Sequence, residues 1–283
     1  MLLTPFLAGL AVLVAWPVLR AAWLSLEDWS TLSPARWVGL ENYRALFGQG
    51  RFWDALRGSA IFVAIVVPLK VGAALLFGLL LSTRGATSLM ARVAVFAPSV
   101  VPASAYALVW VWLLNPLGGP VPALISAVGV DPPVLLTDGW VRGSIAVAAA
   151  AQFGEAFLVV LAVRAALGPR LYEVAAVEGA SPWTTLRRVT LPLIAPALVL
   201  LCARETVVAA SAAFAPSTLI GARASRADID TLPLLLYDTG FRYLRLGDAA
   251  AVGMITLALT ALAVAVQLSL LRRVAPWVDL SRR

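Results

Sequence analysis

Histidine is absent from this 283-residue chain, cysteine and lysine occur once each, and only 13% of the residues are charged. Each scarcity removes a class of chemistry. Without histidine there is no Ser-His-Asp or Cys-His nucleophile system, no HExxH zinc site and no imidazole ligand for any metal. The lone cysteine, Cys202, lies inside an apolar run, which excludes a disulfide framework or a cysteine metal site within the chain. The only lysine, Lys70, follows Pro68-Leu69 and cannot belong to a GxxxxGK[ST] phosphate loop. If ATP drives anything here, another chain hydrolyses it.

What is abundant is apolar surface. Hydrophobic residues make up 61% of the chain and the mean hydropathy is +0.90, far from the balance of a soluble domain. The net charge of +7 does not point to nucleic acid, because the arginines are spread among loops rather than gathered on one face. Six apolar runs, at about 4 to 25, 58 to 82, 92 to 114, 142 to 166, 191 to 213 and 248 to 271, are long enough to cross a hydrocarbon core that needs about 20 helical residues. The first is followed by Glu27-Asp28, without a basic leader or a clear small-residue cleavage site, so it is expected to be a retained helix rather than a signal peptide. No internal repeat or low-complexity linker divides the chain, and residues 1 to 283 read as one transmembrane domain.

Orientation follows from the basic residues. With both termini in the cytoplasm, the inner segments hold Arg84, Arg92, Arg164, Arg170, Arg187, Arg188, Arg272, Arg273, Arg282 and Arg283 against Glu173, Glu178 and Asp279. The outer segments offset their arginines with acids that include Asp228, Asp230 and Asp238. The positive-inside tendency favours this arrangement. It places the polar interruption at 167 to 190 in the cytoplasm.

That interruption, LYEVAAVEGASPWTTLRRVTLPLIAP from Leu171 to Pro196, carries helix punctuation. Gly179 can end one short helix, and Ser181 followed by Pro182 can cap and start another. The stretch predicts a helix, a turn and a helix, a knuckle that another protein could grip. An ordinary amphipathic connector is the plainer alternative.

The pattern resembles the EAA loop of binding-protein-dependent ABC importer permeases of the sugar type, those similar to maltose, trehalose and glycerol-phosphate permeases. Glu173, Ala175, Gly179, Ala180, Leu191 and Pro192 occupy the motif's places, while Val174 replaces its first alanine and Glu178 its aspartate. Val38-Gly39-Leu40-Glu41-Asn42-Tyr43 is similar to the segment after the first helix of those permeases, although its rings also suit a membrane interface. Arg92, Pro98, Pro102, Trp110, Trp112 and Asn115 match the spacing of a third-helix run in the same family. Tyr237, Phe241, Gly247 and Ala249 to Ala251 resemble the lead into its last helix. Phe214-Ala215 and Gly221-Ala222-Arg223 depart from the family's Phe-Asp and Gly-Gly-Pro, and the basic tail that often precedes the first helix is missing.

The resemblance implies an all-α membrane protein of six transmembrane helices with a cytoplasmic coupling helix, a type I ABC importer permease. It implies a second permease subunit, two ATPase subunits holding ATP and Mg, and an extracytoplasmic solute-binding protein, all at a bacterial inner membrane. In that picture Glu173, Ala175, Gly179, Ala180, Trp183 and Leu186 couple the ATPase to the bundle, with Trp183 and Leu186 offering one apolar face. The implied solute is a sugar or oligosaccharide, with glycerol-phosphate or another small organic solute next. A carrier driven by an ion gradient is the rival from another class, and a membrane enzyme is weaker still.

Five ionisable residues fall inside the proposed spans: Arg20, Lys70, Glu155, Arg204 and Glu205. Each costs about 2.5 to 3.5 kcal/mol at the bilayer centre, so each should face protein or water. Arg20 is near enough to the helix end to snorkel. Lys70 and Glu155 could neutralise each other or line a solute path, and a proton relay is a third option. Gln152, one turn from Glu155 on nearly the same face, favours a polar surface. Arg204 and Glu205 are adjacent, so their side chains are expected to diverge by about 100 degrees and not to share one target.

Overall fold

The computed structural model describes residues 3–30, 33–82, 86–137, 139–222 and 226–274. Among these, four unbroken helices are long and apolar enough to cross a membrane: Thr4–Leu24, Gly50–Leu80, Pro182–Leu219 and Leu246–Leu270. Two more crossings are each built from two half-helices. Thr87–Val100 and Ala103–Leu113 meet at 105°, and Val141–Ala151 and Gly154–Ala166 meet at 43°. In chain order these six are called the first to sixth spans. Arg84, Arg223, Asp279, Arg282 and Arg283 lie outside the described residues.

Proline chemistry accounts for the sharper bend. Pro98 and Pro102 have no N–H to donate to the carbonyls of Ala94 and Pro98, and a residue before proline is pushed out of the helical region. Val101 accordingly sits at φ −75°, ψ 130° and Pro102 at φ −54°, ψ 140°. Two successive extended residues turn the chain. The fifth span treats its prolines differently. It starts at Pro182, passes through one π-helical turn at Leu186–Thr190, and continues unbroken past Pro192 and Pro196. The wider turn lies just where Pro192 leaves the Arg188 carbonyl without its usual donor. The second helix of the predicted knuckle is therefore the first turns of the fifth span rather than a separate element.

The second span is the centre of the bundle, packed by the fourth and fifth. Phe62, Val66, Val67 and Ala74 bury against Phe157, Val160 and Leu201. Close approach is built in at Gly78, where a Cβ would stand 2.6 Å from Val160 Cγ1. The fifth and sixth spans pack along each other, and the first span leans on the sixth through its Trp16–Leu24 end. None of the first span's apolar window is buried within the chain.

The chain is not purely helical. Glu27–Ser30 and Ser33–Trp37 form an antiparallel two-stranded hairpin with Glu27 opposite Trp37. The helix that follows, Glu41–Phe47, carries Asn42, whose amide is buried and donates to the carbonyls of Ser25 at 2.9 Å and Glu27 at 3.0 Å. Tyr43 turns its hydroxyl inward to Ser25 Oγ at 2.7 Å instead of only lying at an interface. A Cβ at Gly247 would come within 2.0 Å of the Glu27 carbonyl. The Gly-Leu-Glu-Asn-Tyr segment thus ties the end of the first span to the start of the sixth. Asn42→Ala leaves two carbonyls without their donor and is expected to destabilise the protein by about 1–3 kcal/mol. Thermal unfolding in detergent checks this, and an unchanged midpoint would remove the tie.

A second staple joins the start of the second span to the approach to the sixth. Arg51 donates to both carboxylate oxygens of Asp230, at 2.8 and 3.1 Å, and to Asp238 at 2.6 Å. Both acids are buried. Opposed charges at this depth hold only because the guanidinium fork meets the carboxylate in two places.

Candidate functional site: the knuckle and the intramembrane charges

The fourth span ends at Ala166, Gly168 turns the chain at φ +71°, and the helix Arg170–Val177 begins the knuckle. Its end is a Schellman closure: Ala180 N donates to Ala175 O at 2.9 Å and Gly179 N to Ala176 O at 3.0 Å. Gly179 has φ +71°, the left-handed conformation that such a closure needs. Ser181 then caps the next helix, its Oγ accepting from Thr184 N at 3.2 Å. The local punctuation lies where the sequence puts it.

The knuckle has an outer and an inner face. Glu173, Gly179 and Trp183 are exposed, and so are Val174 and Val177. Ala175 is buried, and Ala180 and Leu186 are half-buried. Leu186 looks inward, onto a cavity of about 360 Å³ between the knuckle and the ends of the second and fourth spans, lined also by Leu79, Tyr172 and Thr190. Trp183 and Leu186 therefore do not form one apolar face. The exposed apolar residues are Val174, Val177 and Trp183, and the two valines, three apart on one helix, were missed as a pair in the sequence. On the inner side, the Arg164 guanidinium lies 3.6 Å above the Tyr172 ring, and Thr190 donates to Tyr172 Oη at 3.3 Å. Arg92 anchors this end of the third span by donating through Nε and Nη2 to the Leu81 carbonyl, at 2.9 and 2.7 Å. The Tyr172 contacts fix the knuckle's base to the fourth and fifth spans, and Arg92 ties the third span to the end of the second.

Deeper in the membrane, four of the five candidates form one chain of alternating charge. Lys70 Nζ is 3.4 Å from Glu205 Oε2, and Arg204 pairs with both Glu205 and Glu155. Lys70 and Glu155 are not partners; Glu205 takes the lysine. Arg204 and Glu205 do share a target, namely each other. The expected divergence holds for their Cβ atoms, but a guanidinium on a long stem folds back across that angle. Exposure grades along the chain: the Glu205 side chain is 2% exposed, Lys70 13%, Arg204 46% and Glu155 56%. The buried end neutralises charge, and the open end presents a guanidinium and a carboxylate.

Gln152 belongs elsewhere. It sits in the break of the fourth span at φ −85°, ψ 55°, so the helical spacing to Glu155 does not apply. Its amide donates to the carbonyls of Pro98 at 3.0 Å and Val101 at 3.3 Å. Two residues outside the sequence reading stand beside the charge chain: Gln267 of the sixth span donates to Thr206 Oγ1 at 2.8 Å. A lone amide in an otherwise apolar run was the signal for Gln267. A cavity of about 290 Å³ lies between the second, fifth and sixth spans, lined by Ser59, Thr206, Thr256 and Thr260 among apolar side chains. None of the five predicted pathway residues lines it.

Residues 70–276 match the family described as the binding-protein-dependent transport system inner membrane component. The chain belongs to this family. A probable ABC transporter permease protein, YesP of Bacillus subtilis (strain 168), is 26% identical over 98% of this chain and 90% of its own length. SmoG, the sulfoquinovosyl glycerol transport system permease protein of Agrobacterium fabrum (strain C58 / ATCC 33970), is 26% identical over 96% of this chain and 89% of its own. The fold is similar to a chain of a bacterial alginate ABC transporter crystallised with its pentasaccharide-bound periplasmic protein. There the TM-score is 0.82 at 21% identity, covering 96% of this chain and 93% of that one. The permease is thus a multi-pass component of a binding-protein-dependent system rather than a self-sufficient carrier. Its knuckle lies inside the matched region, between the fourth and fifth spans.

Proposed function

We propose that the chain forms half of the translocation pathway of an ATP-driven importer for a sugar or oligosaccharide, paired with a second permease subunit. In this reading the knuckle faces the cytoplasm, where one of two ATPase subunits receives it in a surface groove. ATP and Mg are held by those subunits and not by this chain. Glu173 supplies a carboxylate for polar contacts, and Val174, Val177 and Trp183 supply the apolar ones. The observation that carries the reading is the exposed helix-turn-helix, closed at Gly179 and rooted on the fourth and fifth spans, in a chain of this family. A solute-binding protein delivers the solute on the opposite side.

Relatives named for sulfoquinovosyl glycerol and trehalose/maltose support a glycoside-like solute, others are named for sn-glycerol-3-phosphate, and the charge chain favours the first. A guanidinium and a carboxylate side by side can donate to and accept from hydroxyl groups while adding no net charge to the path. That balance favours a polyhydroxylated solute over a phosphate ester. The expected result is that the tagged permease extracted in mild detergent brings an ATPase with it. In liposomes, that ATPase should be stimulated several-fold by its binding protein loaded with a cognate sugar. A permease that purifies alone and transports without ATP would overturn the reading.

A further inference from the structure

The third and fourth spans break at the same level and are joined there. Pro102 cannot donate to the Pro98 carbonyl, and extended Val101 points its own carbonyl out of any helix. Inside a bilayer such carbonyls must find a donor in the protein. Val101 N comes only to 3.4 Å from Pro98 O, and the Gln152 amide supplies the stronger donation to Pro98 as well as a bond to Val101. The approach is close enough to need glycine at 154. A Cβ there would lie 2.5 Å from Ser99 Oγ and 2.9 Å from Phe96 Cα.

We propose that Gln152 is a positioning residue of the transport cycle, making one joint out of two breaks so that displacement of the knuckle is carried into the third span. On the knuckle side of the joint, the half-helices Ala86–Phe96 and Gly154–Ala166 pack on each other, and the second of them runs directly into the knuckle. Beyond the joint, Ala103–Leu113 departs at a steep angle. A push on the knuckle tilts Gly154–Ala166. The Gln152 amide obliges the Pro98–Val101 segment to move with it, which redirects Ala103–Leu113. Without the amide the fourth span can pivot while the third stays behind.

This inference rests on the knuckle being the docking point for the ATPase. It is tested in the assembled importer, with Cys202 replaced by serine, by distances between spin labels with and without ATP plus vanadate. Labels at Val100 and Arg170, both exposed, report across the joint, and labels at Trp53 and Arg170 report movement of the knuckle against the far end of the second span. The expected result is that trapping shifts the 53–170 distance and leaves the 100–170 distance unchanged. In Gln152→Met, which keeps the side-chain length and loses the donor, the 100–170 distance should shift on trapping, and ATP consumed per solute should rise about tenfold. A shift in 100–170 in the parent protein, or none in Gln152→Met, overturns the joint. If Gln152→Met does not assemble, Gln152→Asn, which keeps the donor on a shorter stem, takes its place with the same expected shift and the same overturning result. An unmoved 53–170 distance would instead count against the docking reading.

Discussion

Gly179→Val is expected to insert and assemble normally while solute uptake falls at least about tenfold and ATP hydrolysis loses its dependence on the binding protein. The left-handed conformation costs a residue bearing a Cβ about 1–2 kcal/mol, and a β-branched one fares worst. A factor of ten corresponds to about 1.4 kcal/mol. A Cβ at Gly179 would meet nothing within 4 Å, so the penalty comes from the backbone and not from collision. It falls on the Schellman closure that aims Arg170–Val177 relative to the fifth span. Gly179→Ala, with less side chain to accommodate, should uncouple less. Uptake and ATPase rates in liposomes, normalised to inserted protein, measure the effect. Wild-type transport by the valine variant would show that the turn does not transmit force.

The second large effect concerns Glu205. It is the buried anion shared by Lys70 and Arg204, so Glu205→Ala leaves the largely buried Lys70 ammonium without its partner, while the exposed Arg204 guanidinium keeps Glu155. Breaking a buried pair in this way costs about 3–5 kcal/mol, and the variant should be recovered in much lower yield. Removing the stranded cation as well, in Lys70→Ala with Glu205→Ala, should restore part of that loss. Glu155→Ala is predicted to differ in kind: its carboxylate is mostly exposed, so yield should hold while transport or apparent solute affinity changes. Membrane yield, thermal unfolding and uptake for the three variants separate the buried end of the chain from its open end. Equal effects on yield from Glu155→Ala and Glu205→Ala would make the whole chain a structural brace.

The difference between those two acids could not be read from their positions in the sequence. Both sit in apolar runs, and hydropathy prices them alike. Lys70 chose Glu205 over Glu155 because of how the second and fifth spans are rotated against each other. Rotation is fixed by contacts such as those of Gly78 with the fourth span and those around Leu201 of the fifth, which come from distant parts of the chain. Arg204 shows a further gap: direction at Cβ does not determine where a long flexible side chain ends. Gln152 failed for a related reason. Its predicted face assumed a continuous helix from 152 to 155, and the fourth span breaks between them without any proline to announce it.

By contrast, the membrane character, the six apolar runs, the glycine stop and the serine start of the knuckle were legible from the sequence. Each depends on neighbours within a few residues: hydrocarbon burial on a run of side chains, a Schellman turn on one glycine, a cap on one hydroxyl. The inward use of Asn42 and Tyr43 was not, since the groups they bind lie 15 residues or more away. The tertiary structure alone decided which charges pair, which face of the knuckle stays exposed, and that two broken spans are fastened through one amide. Those are consequences of helix rotation and depth, quantities to which every packed neighbour contributes and which no local stretch of sequence encodes.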